Sequence, residues 1–394
     1  MAPAIGSDPG YYFQTNSSEA EYARKKAKSK NVNGNPIQCR SKLLAVTPDP
    51  SNNGNVYVAE AAGSVRLVSI KDGQIISTFS GPIAPLTSVT VSVMNGKATV
   101  LAGCWDKKIY KWDSDTASSA SQAALPSQSV LTGHSDFVKA LLVTTVGSRN
   151  LLVSSGADSL IHVHDVISGK QLYTLKGHAR AIQALALDPI SSSATTAVVW
   201  SADSTRELRK WRISAEEGFE VDSSSTSISK PGIEGNIQPL VPHETSVYAI
   251  SFDSDGDLWT ASADKSVKCL SRERGWRADT TLEHPDFVRD LCIHDDAGWV
   301  ITACRDENVR IWDKSNAKLL YVLDGHFEEV TGLLLQGTIL VSISIDATIR
   351  QWNLNPKELE KLSAPPPEDE TVAPKLDVLT AEEDAELAEL MGDD

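Results

Sequence analysis

No apolar run in this sequence is long enough to cross a membrane. The longest, such as 330–335, fall far short of the roughly 18 residues a spanning helix needs. The first residues, Met1-Ala-Pro-Ala-Ile-Gly-Ser-Asp-Pro-Gly10, carry no charged leader followed by an apolar stretch, so no signal peptide is expected. Both absences predict residence in the cytoplasm or nucleus. Cysteine is scarce: Cys39, Cys104, Cys269, Cys292 and Cys304 are odd in number, and no two share a C-x-x-C spacing. That argues against a disulfide framework and a zinc site, and predicts reduced, mostly buried thiols. Bases are outnumbered, with 37 Lys and Arg against 52 Asp and Glu, for a net charge of −15. Phosphate binding needs clustered cations, so nucleic acid is disfavoured as the main partner. No phosphate-cradling loop and no H-E-x-x-H appears, so no metal, no cofactor and no enzymatic activity is expected.

What is present is ordinary for a water-soluble fold: 394 residues, 41 % hydrophobic and 23 % charged. The acid is concentrated at one end. Residues 363–394 hold eleven acids and the single base Lys375, a net of −10, which leaves −5 for the rest.

The chain repeats itself. Asp306-Glu-Asn-Val-Arg-Ile-Trp312-Asp313 is matched by Asp346-Ala-Thr-Ile-Arg-Gln-Trp352-Asn353 and, upstream, by Asp106-Lys-Lys-Ile-Tyr-Lys-Trp112-Asp113. Asp158-Ser-Leu-Ile-His-Val-His164-Asp165 lacks only the Trp, and Asp264-Lys-Ser-Val-Lys-Cys-Leu270 keeps the Asp. Two weaker copies place Thr205 six residues before Trp211, and Ala62 six before Val68. The seven marker positions, 62, 106, 158, 205, 264, 306 and 346, lie 40 to 59 residues apart. A second marker precedes most copies: Gly133-His134, Gly177-His178, Pro242-His243, Glu283-His284 and Gly325-His326. Each is followed by an alternating run such as Phe287-Val-Arg-Asp-Leu-Cys-Ile, which reads as a strand. One such sheet unit cannot bury both its faces. Stacking units radially buries them and leaves only short edges.

With Gly-His, about 30 residues, then Trp-Asp and a turn Asp six before the Trp, residues 36–356 resemble the WD-repeat (WD40) family. The resemblance implies an all-β, seven-bladed propeller of four-stranded antiparallel blades. After Trp352-Asn-Leu-Asn-Pro356 no further strand follows, so the last blade needs an outer strand from the N-terminus. Tyr11-Tyr-Phe-Gln-Thr15 is the first choice and Pro36-Ile-Gln-Cys39 the second. The expected divisions are 1–35, with the closing strand and a basic helix; 36–356, the propeller; 357–378, a Pro-rich acidic linker; and 379–394, an acidic amphipathic helix. The Ser-rich segments 114–129 and 215–235 read as surface loops.

His, Ser or Thr, and Asp recur together, which could be taken for a nucleophilic triad. Repetition argues against catalysis. The resemblance implies structural hydrogen-bond chains instead, complete in His284, Thr302, Asp306 and Trp312, and in His326, Ser342, Asp346 and Trp352. Blades with His164 or Leu270 at the Trp position, or Thr205 at the Asp position, should be less rigid. The resemblance also points to the face where His loops and Asp turns meet as a peptide-binding face. On it fall Trp105, Asp136, Phe137, Arg180, Asp286, Phe287, Arg305, Glu328 and Glu329. Aromatic anchors among acids suit a partner carrying Lys or Arg.

Two flanking elements add possibilities. Arg24-Lys-Lys-Ala-Lys-Ser-Lys30 is a basic cluster fit for nuclear import, a phosphate contact or a solvated helix face. Thr380-Ala-Glu-Glu383 is a capping box, followed by Leu387, Leu390 and Met391 on one side of a short helix that could dock on a partner. The expected function is a monomeric, non-catalytic scaffold that binds a basic or amphipathic protein segment within a larger complex. The alternative is an accessory subunit or chaperone in RNA processing or ribosome assembly. Neither Trp112-Asp-Ser-Asp115 nor Trp312-Asp-Lys-Ser315 carries the Arg that marks recruiters to cullin ligases, so that role is disfavoured.

Overall fold

The computed structural model describes residues 16–94, 96–113, 125–126, 129–223 and 237–363. Within them, seven antiparallel sheets follow one another along the chain. Blade 1 comprises Leu43–Pro48, Asn55–Glu60, Val65–Ser69 and Ile75–Ser80. Blade 2 comprises Leu86–Met94, Lys97–Cys104, Ile109–Asp113 and Ser129–Leu131. Blade 3 holds Val138–Val146, Arg149–Gly156, Leu160–Asp165 and Gln171–Lys176. Blade 4 holds Ala197–Asp203 and Leu208–Ile213 between Ile182–Leu187 and Gly218–Val221. Blade 5 runs from Val247–Phe252 to Arg277–Glu283, and blade 6 from Val288–His294 to Leu319–Asp324. Blade 7 has Val330–Gln336, Ile339–Ser344 and Thr348–Asn353. Innermost strands of successive blades touch, and that of blade 7 touches that of blade 1, so the ring is closed.

Radial stacking explains the burial. Second strands such as Asn55–Glu60 and Ala197–Asp203 are buried at every residue, because a neighbouring blade covers each face. Outer strands such as Leu319–Asp324 keep solvent on their rim. The turn between second and third strands repeats too. The residue after each turn Asp has positive φ, as at Lys107, Ser159, Lys265, Glu307 and Ala347. The Asp carboxylate accepts the N–H two residues on: Asp346 from Thr348 at 2.8 Å, Asp264 from Ser266 at 3.0 Å. That side-chain turn holds the left-handed residue in place. Blade 1 lacks the Asp and uses Gly63 (φ 81), where a Cβ would meet the Pro82 carbonyl at 2.5 Å.

The ring closes with the second-choice strand. Ile37–Gln38 pairs antiparallel with blade 7, Ile37 opposite Ile349 and Gln38 opposite Thr348. Pro36, lacking an N–H, fits immediately before it. Ile37 enters the core shared with Val341 and Ile343 of blade 7 and Val56 and Val58 of blade 1. The first choice, 11–15, lies outside the described residues, as do the capping box, Leu387, Leu390 and Met391.

Two helices flank the ring among the described residues: α1 (Asn16–Lys28) and α2 (Pro356–Ser363). The second corrects the reading of the chain from 357 as linker. Pro356 suits a first helical position, where the N–H has no partner anyway. Leu359 and Leu354 are buried in the core of blades 6 and 7, with Leu362 packed against it. The 114–129 segment also does more than loop out. Its Leu125–Pro126 pairs in parallel with the outer strand of blade 1.

Candidate interaction face

The polar chains come first, since they fix the loops of the face. In blade 7, His326 Nε2 lies 2.8 Å from Ser342 Oγ and Nδ1 2.9 Å from Asp346 Oδ2, and the Trp352 indole donates to Ser342 Oγ at 2.9 Å. All four are buried. Blade 6 is wired differently from the expectation. His284 reaches Thr302 at 2.9 Å and Trp312 donates to Thr302 at 3.1 Å, but His284 Nδ1 turns to the Leu282 carbonyl at 3.1 Å. Asp306 is taken by the Arg310 guanidinium at 3.0 and 2.5 Å, so the structure does not join it to His284. Burial, with Arg310 nearby, lowers the His284 pKa to about 4.

Blade 4 corrects the expectation in the other direction. Its chain is complete, with Asp203 in place of Thr205. His178 lies 3.2 Å from Asp203 and 2.6 Å from Ser201, and Trp211 donates to Ser201 at 2.7 Å. Thr205 only donates to Asp203. In blade 5, His243 bridges Asp264 at 2.8 Å and Thr260 at 2.7 Å without a Trp. Every such set holds a turn or His loop by its own backbone, and Asp346 also accepts the Phe327 N–H at 3.2 Å. These are braces that satisfy buried polar groups.

Two groups of side chains stand on the face. Between blades 2 and 3, the Trp105 and Phe137 rings stack at 5.2 Å and 17°, yet stay 42 % and 37 % exposed. Asp136 beside them caps the Phe137 N–H at 2.8 Å. Across the ring, over blades 5 to 7, the charges pair with one another. Arg305 lies 5.2 Å over the Phe287 ring and 4.0 Å from Asp286. Arg289 bonds Glu329 and sits 4.4 Å over Tyr248. Arg180 is exposed on blade 4.

Sequence reading missed Arg289, Tyr248 and Lys139. Each occupies the bulge that opens an inner strand, where the register slips by one residue. The same bulge recurs in all seven blades, so the position after the first strand residue was the available signal. Bulge side chains tie blades together: Thr331 donates to the Leu43 carbonyl of blade 1 at 2.8 Å. Lys139 is half-buried, and that burial, then Arg289, lowers its pKa.

The basic cluster lies against this face. Arg24 grips both oxygens of Glu307 at 2.7 Å, Lys28 bonds Glu307 at 3.0 Å and Asp324 at 2.8 Å, and Lys25 bonds Glu328 at 2.8 Å. Burial raises the Glu307 pKa, but Arg24 and Lys28 outweigh it and hold the carboxyl below its ordinary range. Of the cations foreseen for nucleic acid or import, three are therefore already paired with the propeller.

Fold, repeating turns and braces define a WD-repeat propeller. The family model for the WD domain, G-beta repeat, matches residues 236–270, 277–313 and 317–353, which span blades 5 to 7. Over 98 % of its length the chain is 32 % identical to an uncharacterized WD repeat-containing protein of Schizosaccharomyces pombe, of which 99 % is covered. The chain belongs to the WD-repeat family. It is also 24 % identical, over 56 % of its length, to WD repeat-containing protein 37 of Mus musculus, covering 49 % of that protein. Mitochondrial division protein 1 of Pyricularia oryzae is 30 % identical over 30 % of the chain and covered for 24 %.

Proposed function

We propose that the protein is a non-catalytic scaffold whose His-loop and Asp-turn face holds a segment of another protein and so helps assemble a complex. The observation that carries this is the stacked, exposed pair Trp105 and Phe137, the latter on the blade 3 His loop that Asp158 holds by the Ser135 N–H at 2.8 Å. Exposed aromatic rings on a rigid platform are the usual anchors of an interface. The internal pairing refines the partner. Glu328, Glu329 and Asp286 already face Lys25, Arg289 and Arg305, so a purely basic segment would have to displace those cations. An amphipathic segment, apolar toward Trp105 and Phe137 and with a Lys or Arg toward Asp136, fits better. The five free thiols support a reducing compartment, cytoplasm or nucleus.

The test compares proteins captured by the wild type, Trp105→Ala/Phe137→Ala and Phe287→Ala/Asp286→Lys, with cross-links mapped by mass spectrometry. Loss of partners in the first double variant supports the reading. An unchanged partner list in both variants overturns it.

A further inference from the structure

Blade 3 differs from its neighbours at two stations of its third strand. Where blades 6 and 7 carry Arg310 and Trp312, or Arg350 and Trp352, it carries His162 and His164. Both imidazoles are buried, at 4 % and 1 % exposure. His162 stands 4.3 Å, edge to face, from His134, whose Nδ1 lies 3.0 Å from both oxygens of Asp158. His162 Nδ1 is engaged by Thr174 at 2.9 Å and Gln171 at 2.7 Å. Its Nε2 has no hydrogen-bond partner among the described residues, and neither nitrogen of His164 has one. Burial lowers the His164 pKa to about 4, opposed only in part by the nearby Thr132 carbonyl, which completes no bond of good geometry. Buried polar nitrogens are rarely left bare, and those that are call for an ion or water.

We propose that blade 3 holds a divalent transition-metal ion of the zinc class, with His134 Nδ1, one Asp158 oxygen and His162 Nε2 as ligands. One ligand atom from each of the three residues already lies within 4.8 Å of the other two. Ligands of a four-coordinate zinc, at bonds of about 2.0–2.1 Å, sit roughly 3.3 Å apart, so small side-chain rotations suffice. Two imidazoles and a carboxylate are the donor set that zinc, cobalt, nickel and copper accept and that magnesium and calcium do not favour. Thr174 and Gln171 hold the far nitrogen of His162, which fixes the ring with Nε2 toward the site. Binding takes the place of the proton on His134 Nδ1, which moves to Nε2 facing Ser154 Oγ at 3.0 Å, so the ring stays neutral and Asp158 stays ionised. Solvent fills the remaining coordination position.

Two other ligand clusters lack this feature. Asp203, beside His178, is saturated by Thr205 and the Glu207 N–H. Between Asp253 and Cys269, the Lys314 ammonium already supplies the cation, 2.8 Å from Asp253.

Tag-free, metal-stripped full-length protein is titrated with Co2+, followed by visible absorption and equilibrium dialysis, with Zn2+ as competitor. One equivalent should bind and be displaced by Zn2+. His162→Gln should weaken binding roughly 100-fold or more, and Thr174→Val, which loosens only the ring's orientation, about 10–100-fold. Cys269→Ser should bind like the wild type. Far-UV circular dichroism checks that each variant folds. Should His162→Gln not fold, the 15N shift of His162 Nε2 in wild type on adding Zn2+ decides, and its absence overturns the proposal. So does failure of the wild type to bind, undiminished binding by a folded His162→Gln, or loss of binding in Cys269→Ser.

Discussion

Blades 6 and 7 carry the same His, hydroxyl, Asp, Arg and Trp, the last four at the same spacing, yet the hydrogen bonds run differently. In blade 6, Arg310 turns onto Asp306 and leaves His284 to a backbone carbonyl. In blade 7, Arg350 donates instead to the carbonyls of Asn33 and Asn31, and Asp346 stays free for His326. Those carbonyls belong to the segment that leads into the closing strand. Gly34 (φ 71) lies so close that a Cβ would sit 3.0 Å from both Arg350 and Trp352. The difference teaches that a brace is not set by its own blade alone. A distant segment, by occupying the arginine, decides which partner the aspartate keeps.

The comparison can be broken most severely by removing residues 1–40. Blade 7 then loses Ile37 from its core and two rungs of its ladder, on the order of 5 kcal/mol, measured by urea unfolding. The variant should also make blade 7 resemble blade 6, with Arg350 turned onto Asp346. An unchanged unfolding midpoint would refute the role given to this segment.

Ser342→Ala comes next. It strips both the Trp352 N–H and His326 Nε2 of their buried partner, for roughly 3–4 kcal/mol. A loss below about 1 kcal/mol, the range of an ordinary surface change, would show that the chain is not a brace.

Blade 6 can be probed by acid. His284 is buried neutral, with a pKa near 4, whereas the unfolded ring titrates near 6.5. The unfolded state therefore takes up the proton first. Stability is full above about pH 6.5 and falls as the pH drops toward 4, by at most about 3 kcal/mol for this ring. That part of the slope should vanish in His284→Gln, and its persistence would assign it elsewhere. The smallest effect is expected from Arg310→Met, about 1 kcal/mol in stability. It frees Asp306 for His284, so the ring's pKa, followed by NMR, should rise. A pKa that stays put would mean that Arg310 is not what keeps the two apart.

Much of the architecture was legible because most blades repeat a turn Asp, a His loop or a Trp at like positions, and seven such units leave little choice but a ring. The face positions Trp105, Phe137, Phe287 and Arg305 were legible for the same reason, since they flank the markers. What escaped depends on contacts that spacing does not encode. Counting six residues back from Trp211 lands on Thr205, while the carboxylate reaching His178 comes from Asp203, which caps both Thr205 and Glu207 by their N–H groups. Arg310 and Arg350 are identical by position, and only the Asn31 and Asn33 carbonyls distinguish them. The cations of α1 read as free because their partners Glu307, Glu328 and Asp324 lie at the far end of the sequence. The choice between two closing strands turned on which short apolar stretch meets Ile349, and no local pattern states that.

The strand that completes the ring is made long before its partner: the Gln38 side chain bonds the Ala347 carbonyl across 309 residues. At about 5–20 residues per second, a ribosome takes roughly 15–60 s to travel between them. During that interval the early strand has no edge to join, and blade 1 has no seventh neighbour to cover it. The nascent chain is therefore an open arc with adhesive ends until blade 7 has been made, the stage at which a chaperone could hold it or a second copy could usurp its seam.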